Sequence, residues 1–263
     1  MKGLKVKNIK TIILIITVIL CITTYNIYDN NRIKIIEQNI KINNLPQSFN
    51  NFTILQITDL HGKHFGENQK KLIEKINSID YDIIAITGDI KNKHEDNIDA
   101  FLDMINGIKN KENIFFVMGN GDDEKFKEEI KNSGCNMLEK PYEFKRGNDS
   151  LWINEFVLKQ PFDKNGVKIG LSHIPIESNL GYDLVLSGHY HGGQYRIPFY
   201  GALYVPIFNG NCFLPKQSEV SGLVKRDGYI EYISKGLGSS CDIKALEFRL
   251  FNTPELNVIK LVN

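Results

Sequence analysis

Six histidines occur in this chain, and four of them belong to a set of side chains able to bind metal. Asp59-Leu60-His61 closes the apolar run 52–58, and Gly88-Asp89 closes 82–87. Gly119-Asn120 closes 114–118, His173 follows 167–171, and Gly188-His189-Tyr190-His191 follows 183–186. Carboxylates and imidazoles gathered at strand ends can hold two divalent cations a few Å apart and generate a hydroxide nucleophile near neutral pH. Asp89 has two oxygens and can bridge two cations. Asn120 offers a neutral carbonyl oxygen, which limits the negative charge of the site. The imidazoles of His61, His173, His189 and His191 favour borderline metals such as Mn, Fe or Zn over Mg or Ca. Gly88, Gly119 and Gly188 are expected to let the backbone turn sharply beside each donor. A lone Asp after a strand is usually a turn residue, and a lone His is usually a core or surface group. Five such elements, each at the end of an apolar run, carry the metal reading together.

The elements that must position these residues alternate. Runs 52–58, 82–87 and 114–118 read as buried strands, while 67–79, 98–108 and 123–131 carry helical spacing or composition. That order predicts parallel strands in an α/β domain, with ligands beyond the carboxyl ends of the strands. After Cys135, turn signals and short strands replace helices, at 167–171, 183–186, 229–233 and 256–262. Two sheets packed face to face and flanked by helices follow.

The 263 residues are 42% apolar with net charge +1, enough for one sizeable core and without a basic stripe for nucleic acid. Nothing in the composition sets an oligomeric state. Cys21, Cys135, Cys212 and Cys241 show no C-x-x-C spacing and read as structural thiols.

A basic segment, 1–10, precedes the uncharged apolar stretch 11–28. A helix of about 18 residues rises about 27 Å, close to the hydrocarbon thickness of a bilayer. No small-residue cleavage site follows, which favours an uncleaved transmembrane signal anchor over a cleaved signal peptide or a buried core helix. The lysines before the stretch predict a single-pass cell-membrane protein with its domain extracytoplasmic. Residues 29–44 read as a tether, or alternatively as a first edge strand, ahead of a domain over 45–263. Tyr195, Phe199, Tyr200, Tyr204, Phe208 and Phe213 would suit a lipid-facing mouth, although sheet packing is the plainer reading.

Asp59-x-His61, Gly88-Asp89, Gly119-Asn120, His173 and Gly188-His189-x-His191 together resemble the calcineurin-like metallophosphoesterase signature. The string 187–194, Asp59-Leu60-His61 with Phe65-Gly66, the segment 235–239 and the stretch from Arg249 to Glu255 resemble its membrane-associated branch, similar to YkuE-type and UDP-2,3-diacylglucosamine hydrolase proteins. The resemblance runs from about residue 45 to the C-terminus. It implies a four-layer α/β-β/α sandwich, the metallo-dependent phosphatase fold. It also implies a dinuclear centre, with Asp59, His61, Asp89 and His191 on one metal and Asp89, Asn120, His173 and His189 on the other. Asp59, Asn120 and His189 are further expected to serve catalysis on a phosphate-ester substrate.

Two positions depart from the pattern. The third motif of the family usually reads Gly-Asn-His-Asp or Gly-Asn-His-Glu, whereas Gly121 stands here in the histidine's place, followed by Asp122. The resemblance gives that histidine the role of protonating the leaving group, worth on the order of 10²–10⁴-fold. Asp122 and His64 are the candidates to replace it, with His64 and His94 otherwise plain surface residues. Asn92 stands where an Asp is usual and is expected to support the metal donors. Two functions follow as expectations. One is a metal-dependent phosphoesterase acting on a cell-envelope phosphate ester or pyrophosphate. The other is a catalytically weakened envelope protein that binds metal and phosphate.

Overall fold

The alternating runs form two six-stranded sheets in the computed structural model, which describes residues 2–157, 160–207 and 210–263. In the first sheet the order is Lys34–Lys41, Glu255–Val262, Thr53–Ile57, Ile83–Ile86, Ile114–Phe116 and Asn136–Met137. Thr53–Ile57, Ile83–Ile86 and Ile114–Phe116 are mutually parallel, so their carboxyl ends lie at one edge of the molecule. The second sheet runs Gly222–Lys225, Ile230–Ile233, Leu184–Ser187, Val167–Leu171, Asp149–Glu155 and Tyr142–Arg146. Its four inner strands are parallel and its two edge strands antiparallel.

Strand alternation divides the core. Ile54, Ile83, Ala85 and Phe115 point from the first sheet toward Leu151, Ile169, Leu184 and Leu186 of the second, filling the space between the sheets. Leu55, Ile57, Ile84, Ile86 and Phe116 point the other way, onto Leu72 and Ile76 of the helix Lys70–Ile76 and Phe101, Met104 and Ile105 of Asp99–Gly107. These strands are buried on both faces, which is why they read as unbroken apolar runs. The outer face of the second sheet is covered differently. Phe156, Phe162, Ile176, Tyr182, Val185 and Tyr229 cluster there with the irregular stretches 160–166 and 172–183. The sandwich that the resemblance implies is thus built with mixed sheets and helices, its fourth layer made of loops among the described residues.

Residues 29–44 do not form a tether. Lys34–Lys41 pairs in parallel with all eight residues of Glu255–Val262 and buries Ile40 completely. The edge-strand alternative is the one realised, and the folded unit starts ahead of residue 45. The pattern was hidden because an edge strand is half solvated and keeps polar Lys, Glu, Gln and Asn between its isoleucines.

The N-terminal helix Lys2–Asn30 contains a stretch, Asn8–Asn30, long and apolar enough by length and composition to cross a membrane. Its side chains from Ile9 to Tyr28 are largely exposed, so it is not a core helix of this domain. Only its end is docked. Asn30 Nδ2 donates to the Arg249 carbonyl (2.7 Å), and the Arg249 N–H donates back to Asn30 Oδ1 (2.9 Å). Thr253 donates to buried Asp29, and Tyr25 packs against Phe251. The four cysteines are free, and burial pushes the Cys135 thiol up to about 11.

Because Lys34–Lys41 belongs to the sheet, Ile40→Ala is expected to destabilise the domain by about 2–5 kcal/mol. A denaturant midpoint unchanged from the parent chain would show that the strand is dispensable.

Candidate metal centre

Asp59, Asp89 and Asn120 leave the first sheet at the ends of Thr53–Ile57, Ile83–Ile86 and Ile114–Phe116. His173, His189 and His191 leave the second sheet after Val167–Leu171 and Leu184–Ser187. The sheets face one another, so the two sets of loops converge. Two donor clusters result, Asp59 with His61 and His191, and Asp89 with His173 and His189, each with its donor atoms within 4.8 Å of one another. Asp59, His61, Asp89, His173 and His191 are buried, and His189 is half-buried. Asp89 Oδ2 lies 3.4 Å from His61 Nε2 and 3.3 Å from His173 Nε2, so a single oxygen reaches both clusters. His191 Nε2 sits 3.5 Å from Asp59 Oδ1 and 3.2 Å from His61 Nε2. His173 Nε2 sits 3.2 Å from His189 Nδ1. Asn120 is exposed on the rim of a cavity of about 790 Å³ that also contains His173 and Tyr190, with Phe156, Ile174 and Ile176 in its walls.

Local backbone geometry carries the arrangement. Asp59, His61, Asp89, His189 and His191 all have φ between +46° and +69°, the left-handed region that side chains other than glycine seldom occupy. Such residues persist only where the surroundings dictate them. The motif glycines divide their roles. Gly88 does turn through positive φ, as expected, at +83°. Gly119 and Gly188 instead permit close approach. A Cβ on Gly119 would lie 2.1 Å from Asp89 Oδ1, and one on Gly188 would lie 2.3 Å from Thr58 Oγ1.

Charge and lone pairs converge here. His173 Nδ1 lies 2.8 Å from the Thr87 carbonyl and therefore carries a proton there. A neutral His173 then aims the lone pair of Nε2 at Asp89 Oδ2 and His189 Nδ1. That juxtaposition is repulsive unless a proton or cation lies between them. Burial holds His61 and His189 down at about 4 and His191 well below its ordinary value, all three as neutral donors. Burial also opposes a charge on His173, yet the hydrogen bond and charge of Asp89 prevail and push it up to about 9. Asp89 is held below the carboxylate range, since His173, His61 and the Gly121 N–H outweigh its burial. Asp59 rises to about 7 through burial, with repulsion from Asp89 adding to it. Deprotonated imidazoles facing buried carboxylates fit divalent cations.

Residues 52–193 match the family described as calcineurin-like phosphoesterase, more than half of the chain. The chain belongs to this family. It is similar to two Bacillus subtilis proteins named uncharacterized metallophosphoesterases. With YkuE it is 27% identical over 255 residues, covering 86% of this chain and 84% of the relative. With YkoQ it is 26% identical over 227 residues, covering 77% and 81%. As a calcineurin-like phosphoesterase, the chain is a metal-dependent phosphoester hydrolase, and the Asp and His clusters suit divalent metal.

Several supporting residues were not evident as such in the sequence. Asp122 does not stand free to act as an acid in place of the missing histidine. Its Oδ2 accepts from the N–H groups of Asp89 and Gly119, each at 2.8 Å, and its Oδ1 from those of Ile90 at 2.8 Å and Lys91 at 3.3 Å. It clips the Asp89 loop to the Asn120 loop. Gly121 gives its N–H to Asp89 Oδ1 at 2.7 Å. Arg249 is wholly buried, and its guanidinium donates to the carbonyls of Gly238, Lys235, Asn252 and His191. Asn252 also donates to the His191 carbonyl, at 2.7 Å. Two side chains thus hold the backbone of one strained histidine. The only sequence signal was the stretch 249–255, which carried part of the resemblance but no role. Asn92 supports the His61 loop as expected, donating to the His61 carbonyl and to Glu247. His94 is a surface residue beside the Cys241 carbonyl, and His64 is exposed on a cavity shared with His61.

Asp122→Ala strands backbone donors at the junction of two loops, each unpaired group costing about 1–3 kcal/mol. The expected outcome is a destabilised chain whose metal stoichiometry, read by elemental analysis, falls below that of the parent.

The metal-free protein should also respond to pH with a definite sign. Groups held low, His61, His189 and His191, contribute stability present above about 6.5 and lost as pH falls toward about 4. Asp59, raised to about 7, acts in the opposite sense over that range, one group against three. His173, raised to about 9, contributes stability present below 6.5 and lost as pH rises through 9. Denaturant midpoints measured in chelator should therefore fall on both sides of a maximum near neutrality. A midpoint that rises steadily toward acid pH would contradict this assignment.

Proposed function

We propose that the chain is a membrane-anchored phosphoesterase with a dinuclear centre made by Asp59, His61, Asp89, Asn120, His173, His189 and His191. It would hydrolyse a phosphate ester or pyrophosphate bond of a cell-envelope substrate outside the membrane. The observation that carries the reading is Asp89 Oδ2, within 3.4 Å of His61 and 3.3 Å of His173 and thus suited to bridge two cations. Two divalent cations there, with Mn, Fe or Zn the best matches to the donors, would supply Lewis acidity for a water nucleophile and for phosphoryl charge.

The residues of the chain do the rest. Asp59, His61 and His191 present one donor set, and Asp89, His173 and His189 the other. Thr87 sets the tautomer of His173. Asn120 is exposed on the cavity rim and His189 is half-buried, and both would orient a phosphoryl oxygen. The Gly121 N–H steadies Asp89 but offers no proton to a leaving group. Committed to backbone donors, Asp122 does not stand in for the family's histidine. Leaving groups of low pKa, such as aryl phosphates or phosphoanhydrides, therefore suit this centre best. The N-terminal helix supports anchoring through its length, its apolar exposed surface and its preceding lysines. The second reading, a metal- and phosphate-binding protein of weakened activity, rests on Gly121 alone.

The full chain in detergent, loaded with Mn²⁺, should turn over bis-(p-nitrophenyl) phosphate but scarcely turn over an alkyl phosphate. A Cβ at position 121 would stand 3.1 Å from Asp89 Oδ1 and 3.3 Å from its Cγ and Oδ2, tighter than ordinary contact, so Gly121→His requires the Asp89 carboxylate to give slightly. It is expected to raise alkyl-ester turnover by about 10²-fold or more while changing the aryl ester little. Metal bound without turnover of either ester would favour the weakened protein.

A further inference from the structure

We infer that the lobe after His191, together with the segment 243–251, is a second membrane contact that lays the domain on the bilayer crossed by the N-terminal helix. The inference rests on the anchored reading above. Its first support is exposure. Among residues remote from the helix, Phe199 is 111% exposed, Phe213 75% and Leu214 63%, with Ile197, Ile243 and Leu246 also exposed. Isolated apolar side chains on a surface need no explanation, but several aromatic and aliphatic groups on two segments that touch one another mark an interaction surface. The sequence suggested either sheet packing or a lipid-facing mouth for Tyr195, Phe199, Tyr200, Tyr204, Phe208 and Phe213. Phe199 is fully exposed, Phe213 keeps most of its surface exposed although its ring meets that of Tyr204, and Phe208 lies outside the described residues.

The second support is continuity with the helix, which selects lipid as the occupant. Tyr25 stacks against Phe251 at 5.9 Å between ring centroids. Tyr25 lies five residues before the end of the helix at Asn30, about 7.5 Å down the axis at the usual helical rise. The domain surface therefore reaches alongside the apolar helix and does not stop where the helix ends. From there the contacts run outward. The Arg196 N–H donates to the Leu250 carbonyl at 2.9 Å, and Tyr195 packs against Phe248 at 5.4 Å between centroids. Ile197, Phe199 and Tyr200 follow directly on this attachment. Exposed Lys244 flanks the same segment and suits anionic headgroups. Aromatic groups beside an apolar helix at this depth match the interfacial belt of a bilayer, not a water-facing surface.

The lobe leaves the second sheet immediately after His189 and His191, and Arg249 joins the His191 carbonyl to Asn30. Docked on lipid, the donor loops would lie near headgroup level, where a bilayer-held phosphate ester would reach them.

The test uses the full chain in vesicles of phosphatidylglycerol and phosphatidylcholine whose acyl chains carry a spin label just below the glycerol. The parent chain has a single tryptophan, Trp152, which supplies the baseline emission. Phe199→Trp and, separately, Leu214→Trp should add emission that the label quenches by about twofold or more. Tyr142→Trp, on the far edge strand of the second sheet, should show no such quenching. Protein that floats with the vesicles in alkaline carbonate, yet shows no more quenching at 199 and 214 than at 142, overturns the inference and leaves the anchor intact. Protein that fails to float overturns the anchored reading and this inference with it.

Discussion

The arrangement depends on one electrostatic conflict. Two buried carboxylates and four imidazoles are pressed together, and of the four imidazoles His173, pushed up to about 9 by Asp89, is the one drawn toward a positive charge. Asp89 Oδ2 faces His61 on one side and His173 on the other at hydrogen-bond distance. A buried carboxylate so placed is costly unless something positive lies between it and its neighbours. The fold tolerates that cost because the rest of the domain is bonded around it. Two sheets are joined by an apolar core on one side, and a helical layer covers the other face of the first sheet.

What holds the donors in place is mostly backbone. Left-handed φ at five donor residues turns each side chain inward, and such turns do not maintain themselves. Asp122 collects the N–H groups of two loops, Asn92 holds the His61 carbonyl, and Arg249 with Asn252 holds that of His191. Beneath them, buried Gln56 links the sheets by donating to the Ser187 carbonyl and the Thr87 hydroxyl. The precision of the centre therefore comes from side chains that present their polar atoms to the main chain and touch no substrate. Asn30 extends this scaffold into the N-terminal helix, so the helix end and the His191 loop share one set of bonds.

Much of this was legible along the chain, and the reason differs by element. Strands buried on both faces show as unbroken apolar runs, so Thr53–Ile57, Ile83–Ile86 and Ile114–Phe116 were evident, and so were Asp59 and Asp89 after the first two. Lys34–Lys41 was ambiguous because half of an edge strand faces water. Asp149–Glu155 was missed because Asp, Ser and Asn break its apolar run. The helices were found at the right places but proved short, with a single 3-10 turn opening two of them. Asp122 was read as a possible acid because its type and position beside Gly121 suggested chemistry, while three of its four backbone donors, those of Asp89, Ile90 and Lys91, come from a segment that only folding brings to it.

Residue order alone determined which side chains could bind metal, that they end apolar runs, that the family's histidine is Gly121, and that an uncharged stretch of membrane length opens the chain. These are properties of local composition and spacing, and they survive without coordinates. The tertiary structure decided that two donor sets meet around one Asp89 oxygen, that Gly119 and Gly188 serve close approach more than turning, and that Asp122 is a clip. It also decided that Phe199 and Phe213, after His191, are exposed and that Phe251 meets Tyr25 of the N-terminal helix. Each of these depends on distances between segments far apart in the chain, and such distances are set by how two sheets pack.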